Sequence, residues 1–342
     1  MARLRVIAGA REAYKVRTRR WLASLATSIA LLVIVFILSI ALGSSGICNP
    51  LELGCSKLVE LRLPRSITAI AVGALLGVSG ALLQAVTRNP LAEPFILGLS
   101  SGALATTSIA ILLMPLILNN PSLLSLVAFG GALLAYVATS VIAEYAGGGA
   151  LTLILAGVAV NAFFSGMAHF FSFLVQVLLR QPMLVLLLGT LAYTTKSDTL
   201  VVSIAALSIP LVYVILAKPL NTIVYGDLYS SLLGFNPRII RRASVAIAAL
   251  YTGIAVAITG IIGFIGLMSP HVARMVLKTS DHRFIVPFSA INGALLLLLA
   301  DVSSRALAVY VPIGELPAGV YTSAIGGLFL AYMVSTKLRG IE

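Results

Sequence analysis

Apolar residues fill this chain in blocks of about twenty, and short clusters of glycine, proline, asparagine or charged residues close each block. A helix that crosses a bilayer needs about 20 mostly apolar residues, because each adds about 1.5 Å of rise. Ten segments qualify: 22–43, 66–87, 96–118, 123–143, 151–178, 198–217, 239–260, 262–278, 284–306 and 317–336. A helix satisfies its backbone polar groups internally, so the pattern predicts an all-α polytopic membrane protein with about ten transmembrane helices. One further run, MLVLLLGTL within residues 181–197, is too short to cross and is expected to lie as a helix on or just within the outer surface. Gly73 and Gly77 are one turn apart in the second span, and Gly260, Gly263 and Gly266 cluster between the seventh and eighth. Small residues at such spacings predict close helix packing.

Composition agrees with a bilayer setting. Sixty per cent of the 342 residues are hydrophobic, ten per cent are charged, and mean hydropathy is +1.08. The first apolar block is longer than the roughly 7–15 residues of a signal peptide's apolar region, so it is expected to stay as a span. A net charge of +12 could suggest nucleic acid, but no basic, aromatic-laced soluble module is present to hold it. Topology accounts for the charge. With ten crossings and the N-terminus inside, 17 of the 23 Lys and Arg fall in inside segments and six in outside ones. That asymmetry predicts a multi-pass protein of the cell membrane with both termini cytoplasmic. No linker divides the chain, so residues 1–342 read as a single transmembrane domain, with a basic cytoplasmic N-terminus over residues 1–21. Cys48 and Cys55 share the first outside loop, either as a disulfide or as two free thiols. Without a nearby histidine they do not suggest a metal site.

The stretch LNTIVYGDLYSSLLGFNPRIIRR, residues 220–242, interrupts this apolar text. Tyr225, Leu228, Tyr229, Leu232 and Leu233 recur at helical spacing, with Asp227, Ser230 and Ser231 on the other face. Gly234 supplies a stop, Asn236 and Pro237 start the next helix, and Arg238, Arg241 and Arg242 hold that start in the cytoplasm. Residues 218–238 therefore form a cytoplasmic segment with a short amphipathic helix. Its apolar face rests on headgroups, on the protein itself, or on a partner.

The runs LRLPRSITAIAVGALLGVSGALLQAVTRNPLAEPFILGLSSG, LNTIVYGDLYSSLLGFN, GFIGLMSPHVARMVLKTSDHR, ADVSSR and ELPAGVYTSAIGG span roughly Leu61 to Met333. Together they resemble the permease subunits of type II ABC importers, which carry ferric siderophores, cobalamin, haem and similar chelates. The resemblance implies a homodimer around a central path, two cytoplasmic ATP-binding cassette subunits, and an extracellular or periplasmic substrate-binding protein. It also implies that Tyr225, Gly226, Asp227, Leu228, Ser231, Leu232 and Gly234 form the coupling helix docked on the ATPase. By the same resemblance, Arg62, Arg65 and Arg305 present forks to carboxylates of the binding protein, and Asn89 and Leu91 lie at the cytoplasmic gate. The turn Gly147-Gly148-Gly149 falls at another gate position.

No cofactor is expected on this chain, and its lack of G-x-x-x-x-G-K-[ST] assigns ATP and Mg to the partner ATPase subunits. Asp301 is an intramembrane carboxylate one turn before Arg305, which favours a structural ion pair. Were it a proton relay, the chain would be an ion-coupled secondary transporter. Gly98-Leu99-Ser100-Ser101-Gly102 fits G-x-S-x-G, but it opens a membrane helix and not a strand-turn-helix elbow. His169, His271 and His282 are scattered without metal-ligand spacing. Neither catalytic nor metal-ligating residues are therefore assigned. Sparse fixed charge along the spans suits a bulky shielded cargo, with ferric siderophore ahead of cobalamin or haem.

Overall fold

The computed structural model describes residues 2–43, 46–48, 55–180, 188–310 and 314–338. The helices among them are α1 (Ala2–Ala41), α2 (Ser56–Thr87), α3 (Leu99–Leu113), α4 (Pro121–Tyr145), α5 (Ala150–Leu179) and α6 (Lys196–Leu207). They continue with α7 (Ile209–Ile223), α8 (Asp227–Leu232), α9 (Pro237–Thr259), α10 (Ile265–Leu277), α11 (His282–Tyr310) and α12 (Ala318–Leu338). A two-residue hairpin, β1 (Leu42–Gly43) and β2 (Gly46–Ile47), follows α1, with Leu42 opposite Ile47.

Among the described residues, seven helical segments are long and apolar enough to cross a membrane, with α6 and α7 joined through Ser208 as one of them. Three of the predicted spans appear as shorter apolar helices, α3, α10 and the Ala318–Met333 part of α12. The shortening has local causes. Pro115 lacks an amide hydrogen and begins a 3-10 turn, Pro115–Asn119, that ends α3. The second predicted span begins too late, since α2 starts at Ser56 and carries Arg62 and Arg65 inside the helix.

Burial is inverted relative to a soluble protein. Within the apolar windows, 83% of the α2 residues and 72% of the α11 residues are buried, against 11% for α1 and 22% for α5. Outward leucines, valines and phenylalanines on the peripheral helices match hydrocarbon. The glycines allow the two central helices to touch along their backbones. A Cβ on Gly73 would lie 2.3 Å from the Gly293 carbonyl oxygen, and one on Gly77 would lie 2.2 Å from that of Ser289. Gly80 meets the Gly266 carbonyl in the same way, which ties α10 to α2.

Only part of the surface helix expected over 181–197 falls within the described residues. Residues 181–187 lie outside the described residues, and 188–195 are not helical. Instead the Thr190 amide donates to the Thr259 carbonyl at 2.7 Å, and the Gly319 amide donates to Gly189 at 3.0 Å. Leu191 is fully buried. The open carbonyl end of α9 and the start of α12 offered this segment better partners than its own helix.

Gly77→Ala is expected to lower the detergent melting temperature by several degrees and reduce yield, because overpacking against backbone costs about 1–3 kcal/mol. Gly130→Ala is the control, since a Cβ there meets nothing within 4 Å. Equal melting temperatures for the two variants would contradict the backbone crossing.

Candidate functional site

The segment after α7 is shaped by two glycines and an asparagine. Gly226 has φ of 124°, a region closed to other residues, and it redirects the chain into α8. Gly234, at φ of 83°, ends α8: its amide donates to Ser231 and that of Phe235 to Ser230, both at 3.0 Å. This is a Schellman closure. The Asn236 side chain then accepts from the amides of Arg238 and Ile239 and caps α9.

Between those boundaries α8 turns its apolar side outward. Tyr225, Leu228 and Leu232 are 76%, 76% and 77% exposed, while Ser230 is completely buried. The Ser230 hydroxyl pairs with that of Thr222 at 2.9 Å. Of the predicted polar face, Asp227 and Ser230 point to the body of the protein and Ser231 stays exposed.

Asp227 joins three elements. It receives Arg88 Nη2 from the end of α2 and Arg241 Nη2 from α9, the latter at 3.1 Å to both carboxylate oxygens. Arg88 also donates from Nε to the Ile223 carbonyl at 2.8 Å. Arg241 donates from Nη1 to the Gly148 carbonyl at 2.8 Å, reaching the glycine turn between α4 and α5. The neighbours of Arg88 are Asn89 and Leu91, where the Asn89 side chain accepts from the Leu91 amide at 2.9 Å and Leu91 is 38% exposed. One carboxylate thus links α8 to both predicted gate segments.

A second carboxylate anchors the next residues. Glu93 is hydrogen-bonded by the Phe264 amide in the break between α9 and α10, and its Oε2 is buried without a hydrogen-bond partner. Burial pushes its pKa from the ordinary 4.5 up to about 7, against the pull of that amide. Phe264 itself has φ of 67°, and Pro94 packs on Gly266, so this loop is pinned to the start of α10.

The other end of the bundle departs from the sequence reading. α2 is 32 residues long, so its ends are separated by about 48 Å. There Cys48 and Cys55 form a disulfide. Arg62 and Arg305, expected to reach toward a partner, are 6% and 2% exposed. Arg62 donates to the carbonyls of Ile40, Ala41 and Gly46, and Arg305 to those of Ser39 and Leu42. Both guanidinium groups therefore cap the carbonyl end of α1, where cations are favoured and orphan acceptors need donors. Arg65 binds Asp301 Oδ1 at 2.7 Å and Glu315 at 2.6 Å, and Arg305 Nη2 lies 2.8 Å from Asp301 Oδ2. In this structure none of the three arginines is presented outward. Asp301 is held between two guanidinium groups, which gives no support to a proton relay.

The FecCD transport family model matches residues 25–336. The chain belongs to this family. A probable iron chelatin transport permease of Helicobacter pylori is 35% identical to this FecCD-family chain over 285 residues, covering 83% of each. The hemin transport permease of Yersinia pestis is 35% identical over 281 residues, covering 81% of this chain and 82% of its own length. An iron(3+)-hydroxamate import permease of Bacillus subtilis is 37% identical over 287 residues, covering 82% of this chain and 72% of its own length. A solved inward-facing metal-chelate type ABC transporter superposes with a TM-score of 0.79 at 25% identity, covering 92% of this chain and 99% of the other. This FecCD-family protein is a permease of the metal-chelate ABC importer class.

Sequence reasoning found α8 but missed Arg88 and Arg241 as its connections and Glu93 as the anchor of the Leu91 loop. Two signals were present, Arg88 directly before Asn89 and a glutamate between two prolines, but no local pattern joins Arg241 to the glycine turn. The sign of the Glu93 effect is defined. Its proton is held more tightly in the folded loop than in the unfolded chain, so its stabilising contribution is complete below pH 4.5 and lost as pH rises to about 7. Thermal stability in detergent is expected to fall across that interval, and Glu93→Gln should flatten this part of the curve. An unchanged pH profile in the variant would exclude Glu93 as the titrating group.

Proposed function

We propose that this permease forms the path for an iron-bearing chelate, a ferric siderophore or haem, as a homodimer driven by two separate ATPase subunits that grip α8. Ten spans with both termini cytoplasmic match the placement of the basic residues, and they put α8 on the cytoplasmic side. The observation that carries this reading is the orientation of α8. A short helix with its serine buried and its leucines and tyrosine in the open is stable in water only if another surface covers it. Its arginine-rich surroundings, Arg88, Arg238 and Arg241, keep it out of hydrocarbon.

The lack of a phosphate-binding lysine motif leaves ATP hydrolysis to the partner. Closure of two ATPase subunits then displaces α8 as a rigid unit, because the cap at Asn236 and the closure at Gly234 leave it little freedom. Through Asp227, Arg88 moves the segment carrying Asn89 and Leu91, and Arg241 moves the turn at Gly148. Such a linkage biases which side of the path is open. A substrate-binding protein delivers cargo at the disulfide end, with Arg62, Arg65 and Arg305 holding that platform in shape from beneath. The named cargoes of the relatives, iron chelatin, hemin and iron(3+)-hydroxamate, support an iron chelate as the substrate class.

Two measurements test this mechanism. Leu228→Asp with Leu232→Asp should leave the permease inserted and paired but release its ATPase on purification. Normal recovery of the complex together with normal uptake would sink the assignment. Asp227→Asn should retain the ATPase and its hydrolysis while cutting uptake by about tenfold or more, the effect of losing ~1.4 kcal/mol of coupling. Uptake that falls only in proportion to lost ATPase would make Asp227 a docking residue and not a linker.

A further inference from the structure

Where α4 ends and α9 begins, the glycine turn between α4 and α5 closes a cavity of about 390 Å³. Arg238, Arg241 and Arg242 form its cationic wall, and Tyr136, Val141, Leu153 and Val245 form its apolar one. Glu144 is the carboxylate in the lining; Arg242 engages both of its oxygens, and it also lies in the field of Arg238. That leaves an excess of positive charge. Arg241 is 94% buried, since only 6% of it is exposed, and its two terminal nitrogens are occupied by Asp227 and Gly148. Its Nε is buried with no hydrogen-bond partner among the described residues. Among the described residues Arg238 has no ion-pair partner. Gly149, also in the lining, starts α5 without a side-chain cap, so the positive end of that helix borders the cavity.

The natural acceptor for an accessible guanidinium without an ion pair, as at Arg238, is an anionic oxygen. The apolar wall narrows the choice. From Arg238 to Val245 along α9 is about 10 Å of rise, enough to cross a headgroup layer of roughly 5–8 Å and reach the acyl region. A free anion or a nucleotide would leave Val141, Leu153 and Val245 without apolar partners. We propose that this cavity seats one anionic phospholipid, with its phosphate at Arg238 beside the uncapped start of α5 and its stem against Val141 and Leu153.

This site is independent of whatever covers α8. It does share Arg241 with the linkage from Asp227 to Gly148, so an occupied cavity stiffens that linkage, and uptake gains a dependence on membrane charge.

The test uses the full chain purified in mild detergent and titrated with phosphatidylglycerol, phosphatidylcholine or inorganic phosphate, with native mass spectrometry and melting temperature as readouts. Wild type should retain phosphatidylglycerol about tenfold better than phosphatidylcholine, the discrimination given by one charge-assisted pair. Arg238→Gln should bring the two lipids close to parity. Val141→Trp, which fills the apolar side at an exposed position, should reduce retention of both while the lipid-free melting temperature stays at the wild-type value. Equal retention of the two lipids by wild type overturns the proposal and leaves the arginines open to an acidic segment of a partner protein. Undiminished phosphatidylglycerol selectivity in Arg238→Gln overturns the assignment of the phosphate position. Stabilisation by inorganic phosphate equal to that by phosphatidylglycerol overturns the lipid in favour of a soluble anion.

Discussion

The backbone crossing of α2 and α11 fixes where everything else lies. Gly73, Gly77 and Gly293 remove the side chains that would hold these helices apart, and each carbonyl then rests on the opposite helix. In hydrocarbon the hydrophobic effect does not drive such contact, so close packing of small residues must supply it. The consequence reaches both surfaces. α2 carries Arg62 and Arg65 near one end and Arg88 just past the other, and α11 carries Asp301 and Arg305 at the first end. A shift of one helix along the other would misplace both sets of charges together.

Those charges solve a common problem in two ways. An arginine inside an apolar bundle needs acceptors, because a bare guanidinium is expensive to bury. At the disulfide end, Arg62 and Arg305 use the unsatisfied carbonyls of α1, while Asp301 and Glu315 neutralise Arg65 and Arg305. Most of the acceptors there belong to the chain's own backbone, and the result is a fixed platform. At the arginine-rich end, Arg88 and Arg241 converge on a single carboxylate, half exposed and mounted on a helix of six residues. Among the described residues few side-chain bonds hold α8 to the bundle: Asp227 to Arg88 and Arg241, and Ser230 to Thr222. In the proposed mechanism one end stays in place and the other is moved.

The spans, their order and the amphipathic helix were legible because they depend on local pattern: apolar length, glycine and proline stops, and a 3.6-residue period. What was not legible depended on direction. Arg62 and Arg305 sit at helix ends, where the same residue can face a partner or turn inward. The deciding carbonyls belong to α1, which is 21 or more residues away from Arg62 and more than 260 from Arg305. No periodicity connects such positions. The 188–195 segment failed for a similar reason, since its partner amides and carbonyls at Thr259 and Gly319 are supplied by other helices. Family resemblance pointed to α8 and suggested Asn89 and Leu91 as gate residues, yet it could not show that Asp227 faces inward to Arg88 and Arg241.

That inward direction bears on how force would pass through the molecule. If Asp227 faced a partner, each gate would need its own connection to the motor, and nothing would keep the two in step. Because it faces inward, a single displacement of α8 acts on Arg88 and Arg241 at the same instant, and through them on the segments at Leu91 and Gly148. Glu93 sets the opposite boundary condition: its bond to Phe264 holds the far side of the Leu91 loop to α10. The loop is then a short bridge with one fixed abutment and one driven one, and displacement at Arg88 must appear as rotation around Asn89 and Leu91. Prolines at 90 and 94 limit where that rotation can occur, which concentrates it at Asn89 and Leu91, the residues proposed as the gate.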